Sequence, residues 1–470
     1  MLIIFRKDKK MIPSKREYQF ALKYFNEVHH TTIDPEGPGV VRIHLIPPKY
    51  SEKDIEASVV IINGQDIVPI NVSWSILLTI FIEEVNKYSG RHVTDEEVDS
   101  ILDETCKKAS EIYHLIGKRR FRKDIIKIME AFKQIAYGEE VDEAIGFMTI
   151  GDYADKMTAP HRMDLMVSAM TKDGLWHCNQ KCVHCYAAGQ ENSSEAELTT
   201  DHWKDIIDKC RKAKIPQVTF TGGEPTMRDD LIELIDHAKW FITRLNTNGI
   251  KLSKDYCEKL KGASLDSMQI TFYSYNEEIH NRLVGADRFD DTVTGICNAI
   301  EAGLNVSINT PLCTLNRDYV RTLMFLHDRG VKYVTCSGLI TTGNATKAES
   351  ENLQLKNAEI REILKEAVEF CYANDMEISF TSPGWVDDRF CKELGITTPN
   401  CGACLSNMAI TPGGNVVPCQ SWLSDKPLGN MLKDEWKTIW ENPVCKERRK
   451  FSTQMRCECP LRIIKGGRGC

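Results

Sequence analysis

From Met163 onward, runs that favour a strand alternate with runs that favour a helix, and this order constrains the chain more than any other feature. The strand runs are Asp164 to Met170, Gln217 to Thr221, Phe241 to Asn246, Ser267 to Phe272, Leu304 to Asn309 and Lys332 to Cys336. Helical runs between them include His202 to Lys212, Asp229 to Lys239, Asp291 to Ala302 and Tyr319 to Arg329. Strands that each lead into a helix make a parallel sheet covered by crossover helices. The predicted fold class is therefore α/β, with six such units and with active groups at the carboxyl ends of the strands.

Shortly after the first strand run comes Cys178-Asn-Gln-Lys-Cys182-Val-His-Cys185-Tyr186. Three thiolates on one short loop can converge on three corners of a cubane iron-sulfur cluster and leave its fourth iron without a protein ligand. An open iron is where chemistry can happen. Zinc is the competing reading, because thiolates with a histidine among them also suit a tetrahedral site. Zinc wants four ligands, however, and His184 would have to turn away from the other ligands to bind.

Composition decides what the cysteines are for. Met1 to Phe5 is too short for a signal peptide and runs into Arg6-Lys7-Asp8-Lys9-Lys10, so the expected location is the cytoplasm. Eighteen cysteines in a reducing compartment point to metal or cluster ligation rather than disulfides. Cys106, Cys210, Cys257, Cys297, Cys313, Cys336, Cys371 and Cys391 are scattered through apolar segments and read as small buried residues. A formal charge of -7 argues against a nucleic-acid partner. No apolar run approaches the roughly 20 residues of a membrane span.

Before the barrel-like region, Val40 to Ile46, Ala57 to Ile62 and Asp66 to Ile70 read as strands, with Asn63-Gly64 as a two-residue hairpin turn. Helical patterns follow at Trp74 to Tyr88, Thr94 to Leu115 and Arg122 to Tyr137, the second with Thr94 as N-cap and Glu97 three residues on. Three strands then three helices is the order of a small winged-helix α+β domain. At the other end lies a second cysteine set: Cys401, Cys404, Cys419, Cys457, Cys459 and Cys470, with Cys445 nearby. Nine residues separate Cys404 from Gly414 and four separate Gly414 from Cys419. Thr411-Pro412-Gly413-Gly414 reads as a hairpin turn that places Cys404 and Cys419 on neighbouring strand ends. A zinc knuckle on Cys401, Cys404, Cys457 and Cys459 is the alternative to a cluster there.

The three-and-two spacing of the loop, with the aromatic that follows Cys185, resembles the cluster loop of the radical SAM superfamily. The resemblance implies an open, partial (β/α)6 TIM-like barrel over residues 151 to 383, with a [4Fe-4S] cluster on Cys178, Cys182 and Cys185 and S-adenosylmethionine on the open iron. Thr221-Gly222-Gly223-Glu224-Pro225 is similar to the family's glycine-rich contact to the methionine amino group, so Gly222, Gly223 and Glu224 are expected there. By the same resemblance Asn246, Thr271 and Asn309, at the ends of the third, fourth and fifth strands, offer polar contacts to the cofactor, with Tyr273 beside them. Gly338 to Gly343 lies near the adenine, and Tyr186 packs on its edge. The second cysteine set is similar to the SPASM/Twitch auxiliary-cluster domain, here residues 384 to 470. It implies one auxiliary [4Fe-4S] cluster on Cys401, Cys404, Cys419 and Cys470. Gly466 stands where a further ligand is expected, so Cys457 and Cys459 are candidates for an incomplete second cluster.

What this implies for function is reductive cleavage of S-adenosylmethionine to a 5′-deoxyadenosyl radical and hydrogen abstraction from a substrate. The substrate expected is a ribosomally made peptide, its leader bound by residues 1 to 150, which look like a precursor-peptide recognition element. A flavodoxin- or ferredoxin-type protein would supply electrons. A small molecule such as a tetrapyrrole side chain is the second enzymatic reading. A non-catalytic electron carrier or zinc-binding interaction protein is the reading from another class. Gln420 follows Cys419 where sulfatase-maturing relatives carry an acid. An amide is no base near neutral pH, which disfavours formylglycine formation.

Overall fold

The computed structural model describes residues 12–33, 41–47, 49–55, 58–64, 66–89, 93–137, 139, 141, 148–347 and 352–454. Cys457, Cys459, Gly466 and Cys470 lie outside the described residues. The chain divides into two compact units, residues 1–156 and 157–470.

In the first unit the strands β1 (His29–Ile33), β2 (Val41–Ile46), β3 (Ser58–Ile62) and β4 (Asp66–Ile70) form an antiparallel sheet in that order. Three helices follow, Val72–Val85, Asp95–Ile112 and Lys118–Ala136. Strand β1 and the helix Lys15–Tyr24 extend the three-strand, three-helix expectation. They were illegible because β1 reads His-His-Thr-Thr-Ile and buries His29 and Thr31, so no apolar alternation marks it. Ile62 pairs with Asp66, so the turn holds three residues rather than two, with Asn63 and Gly64 both at positive φ. Thr94 caps its helix as expected, in a reciprocal box with Glu97, which satisfies two backbone donors that the helix cannot. Ile43, Leu45, Val60 and Ile62 of the sheet pack on Ile76, Ile80, Leu102, Ile125 and Phe132 of the helices to make the core.

The second unit is built on one ten-stranded sheet. Six parallel strands fall on the expected runs: β5 (Arg162–Ser168), β6 (Gln217–Gly222), β7 (Ile242–Thr247), β8 (Ser267–Thr271), β9 (Val306–Pro311) and β10 (Tyr333–Ser337). A seventh, β11 (Glu377–Phe380), adds in parallel to β10. Its alternation is only four residues long and follows closely on the helix Asn357–Ala373, which hides it in sequence. Beyond the opposite edge, β12 (Asn407–Ile410) pairs in parallel with β5, then antiparallel with β13 (Asn415–Val417), which pairs with β14 (Gly429–Asn430). The Thr411 to Gly414 turn is thus a continuation of the barrel sheet.

Burial alternates along β8, β9 and β10 with period two. Met268, Ile270, Val306, Ile308, Val334 and Cys336 are buried, while the intervening Gln269, Thr271, Ser307, Asn309, Thr335 and Ser337 are only half-buried. The second set lines a polar face. At one end of this sheet, Arg162 and the buried Asp164 pair at 2.9 Å. Among the described residues, no helix is long and apolar enough to cross a membrane.

His161 and His280 are buried in the second unit, and burial lowers both from 6.5 to about 4. The unfolded chain takes up these protons near its ordinary pKa, whereas the folded chain refuses them until far lower. Stability is therefore full above about pH 6.5 and falls as pH drops towards 4, by roughly 3 kcal/mol per histidine at most. Urea unfolding at pH 7 and pH 5 checks this, and His280→Phe should flatten the difference.

Candidate metal centre

The cysteine loop is held from two sides by segments that follow other strands. Lys181 N and Val183 N donate to Val284 O and Leu283 O at 2.9 and 3.0 Å, at the end of the helix Glu277–Val284. Asn344 donates from its backbone to Cys185 O and from its side chain to Cys182 O, at 2.9 and 3.3 Å. Gly343, at positive φ, presses so close to the Cys185 and Tyr186 carbonyls that a Cβ there would collide with both. The Gly338 to Gly343 stretch therefore clamps the loop directly. Gly338 itself donates to Ser382 Oγ at 3.0 Å and leaves no room for a Cβ beside Trp385.

The three thiols are half-buried and near one another. Burial pushes Cys178 up to about 12, with Glu224 and then Cys185 adding to the rise. Cys182 is raised well above the usual range by burial, then by repulsion from Cys185 and Cys178, and its sulfur is hydrogen-bonded with the Tyr273 side chain. Thiolates that disfavour one another in this way call for a cation between them, and a metal deprotonates coordinating thiols outright. The donor set fits an iron-sulfur cluster. His184 is buried and kept neutral, lowered to about 4 by burial, and rests edge-on against Tyr273 with ring centroids 5.1 Å apart. Among the described residues, no three His, Cys, Asp or Glu side chains are gathered into the shell of a single ion.

Cys178 Sγ donates to Gly223 O at 3.4 Å, so the loop and the Gly-Gly-Glu turn meet over the strand ends. The glycines serve a purpose that the sequence did not reveal. A Cβ on Gly222 would collide with Ser168 and one on Gly223 with the Ala169 carbonyl, so both let β6 close against the end of β5. Glu224 also makes bonds within the chain. Its carboxylate, 1% exposed, accepts from Thr226 N (3.1 Å), Thr226 Oγ1 (2.6 Å), Thr247 Oγ1 (2.6 Å) and Asn248 N (2.8 Å). The chain itself thus supplies three donors to Oε1 and one to Oε2, and Glu224 locks its turn to the end of β7. Burial raises its pKa, and the four donors oppose that rise.

Asn246, Thr271 and Asn309 all fall on the half-buried polar face. Thr271 pairs with Asn309 and Asn309 with Thr335, a continuous rung across three strands. Thr335 Oγ1 donates to Asn309 Oδ1 at 2.9 Å, and Gln269 Nε2 donates to Thr335 Oγ1 at 3.2 Å. Gln269 and Thr335 were missed in sequence although the alternation of their strands could have found them. Asn248, two residues past Asn246, reaches the loop instead: its Nδ2 donates to Asn179 Oδ1 at 2.6 Å.

Of the second cysteine set, Cys401, Cys404 and Cys419 lie at the base of the β12–β13 hairpin. Cys404, at φ 55°, donates its backbone N–H to Asn407 O and Pro418 O, both at 3.1 Å. Cys401 and Cys419 pack with Ala403 and Trp422. Cys404 is held protonated by burial first, then by Cys445 and Cys419. A hydrogen bond from Tyr186 Oη to Gln420 Oε1 at 3.2 Å runs between the two cysteine regions. Tyr186 follows Cys185 and Gln420 follows Cys419, so that bond links the neighbours of two candidate ligands. Glu195 adds a second tie, accepting from Thr411 Oγ1, Gly413 N and Asn415 Nδ2 of the hairpin.

Comparison with known proteins agrees with this geometry. Residues 177–326 match the model of the radical SAM superfamily, and residues 401–460 match that of the SPASM iron-sulfur cluster-binding domain. The chain is 32% identical over 194 residues to the Fe-coproporphyrin III synthase of Methanosarcina barkeri, a match covering 38% of this chain and 46% of that enzyme. It is 26% identical over 285 residues to the mycofactocin maturase MftC of Mycolicibacterium smegmatis, covering 58% and 70% of the two chains. The match to the Methanosarcina enzyme thus spans less than half of that enzyme's length. In fold it is similar to Streptococcus suis SuiB bound to its precursor peptide SuiA, with a TM-score of 0.59 and 13% identity over 87% of this chain and 93% of that one.

Proposed function

This chain belongs to the radical SAM superfamily and carries a SPASM iron-sulfur domain, and from that premise we propose that it modifies a ribosomally made peptide by hydrogen abstraction. Cys178, Cys182 and Cys185 would hold the first cluster. Tyr186, Gly222, Gly223, Glu224, Asn246, Thr271, Asn309 and Gly338 would surround S-adenosylmethionine, and Glu224 would also fix its turn. When bound, the cluster and S-adenosylmethionine together supply one-electron cleavage of a carbon-sulfur bond and so the means to remove a substrate hydrogen.

The observation that carries the reading is the Cys178 to Gly223 contact, which brings the loop and the glycine turn together at the carboxyl ends of β5 and β6. The polar rung of Thr271, Asn309 and Thr335 would orient the cofactor, since Asn309 and Thr335 are already bonded to each other and need little reordering. Burial around the loop would exclude water, which a reactive intermediate requires. Gln420 would contribute an amide and no base.

The peptide reading is supported by the SuiB likeness, which extends over most of this chain, and by the similarity to a maturase. A leader would add to an edge of the N-terminal sheet, where β1 and β4 are the outer strands. Met148 N donates to Ile67 O, so part of the β4 edge is already used. The identity to Fe-coproporphyrin III synthase favours a tetrapyrrole as the second reading. Reductant would come from a flavodoxin- or ferredoxin-type protein in the cytoplasm.

Anaerobically reconstituted protein given dithionite and S-adenosylmethionine is expected to release 5′-deoxyadenosine. A precursor peptide encoded beside the gene should lose hydrogen by mass spectrometry. Release without any change to such a peptide, but with a change of mass in the side chains of a tetrapyrrole, would replace the peptide reading by the tetrapyrrole one.

A further inference from the structure

The helix Pro443–Gln454 brings a fourth thiol to the auxiliary cysteines. Cys445, Arg449 and Ser452 recur at spacings of four and three and so share one helix face. That face is turned to the hairpin base. Ser452 Oγ donates to Ala403 O at 2.8 Å and stands 3.8 Å from Cys401 Sγ. Cys445 is fully buried and lies close enough to Cys404 for the two thiols to act on each other. Cys404 also feels Cys419, and Cys419 packs with Cys401 around Ala403 and Trp422.

A buried helix cysteine is ordinarily a small apolar filler. Cys445 instead meets a thiol and a guanidinium, with Arg449 Nη1 3.7 Å from its sulfur. Arg449 is itself fixed, stacked 3.7 Å over the Trp440 ring and donating to Trp440 O at 3.3 Å. A cluster with four thiolates carries net negative charge, and an oriented cation at its edge offsets it. Four cysteines is also the full complement of a [4Fe-4S] cluster.

We propose that Cys445 ligates the auxiliary iron-sulfur cluster together with Cys401, Cys404 and Cys419, in the place that family resemblance gives to Cys470. The inference rests on the presence of that cluster, and the test separates the two. In full-length protein with Cys178, Cys182 and Cys185 all changed to alanine, the remaining iron reports the auxiliary domain alone. About four irons or more per chain are expected after anaerobic reconstitution, and none would sink the auxiliary-cluster reading itself. In that background Cys445→Ala is expected to lower the iron by up to about four per chain and to abolish or alter the electron paramagnetic resonance signal of the reduced cluster. Cys470→Ala should leave both unchanged. Cys445→Ser keeps the size of the side chain and can ligate through oxygen, so iron retained with a shifted signal supports ligation even if the alanine variant folds poorly. Unchanged iron and an unchanged signal in both Cys445 variants would overturn the proposal, as would an auxiliary signal lost in Cys470→Ala and kept in Cys445→Ala.

Discussion

Cys182→Ala is expected to abolish 5′-deoxyadenosine release and to lower reconstituted iron by about four per chain. Cys182 is repelled by both of the other thiols, and its backbone carbonyl is bonded to Asn344. Removing its sulfur leaves two donors where three are needed, while the loop keeps its backbone supports at Lys181, Val183 and Cys185. Loss of activity should therefore exceed the roughly 10–100-fold that changes around a ligand typically produce, without general unfolding. Cys313→Ala is the control, because Cys313 packs in the same apolar cluster as Cys182 but lies outside the loop. It should cost some stability and no iron. Full cofactor cleavage in Cys182→Ala, or a colourless zinc protein, would remove the basis of the assignment.

Glu224→Ala is expected to destabilise the second unit by about 3–6 kcal/mol, because it orphans two buried backbone donors and two hydroxyls that now bond a charged group. Glu224→Gln should lose somewhat less, since its amide keeps one acceptor but turns a donor towards Asn248 N or Thr226 N. Urea unfolding measures both. This separates two roles for the residue. If the carboxylate served only to bind an ammonium group, either change would weaken S-adenosylmethionine binding and leave the unfolding midpoint alone. The four internal bonds require the midpoint to move.

The sequence by itself determined the chemistry and the order of the barrel. Cysteine spacing is local, so Cys178, Cys182 and Cys185 are neighbours whatever the rest of the chain does, and the strand-helix alternation marks β5 to β10 because short apolar runs are set off from amphipathic helical ones. Asn246, Thr271 and Asn309 were legible for the same reason, as polar residues near the ends of such strands. What only the tertiary structure decided is which distant groups meet. No periodicity pairs Tyr186 with Gln420, sets Gly222 and Gly223 against Ser168 and Ala169, or brings Cys445 to Cys404, because each contact depends on how separate elements pack. Strand β1 and strand β11 stayed hidden because one buries polar side chains and the other is too short to show a period. The motif of Glu224 points to a ligand contact, whereas only the fold shows that the same buried carboxylate also takes donors from Thr226, Thr247 and Asn248, because those groups meet it from separate strand ends.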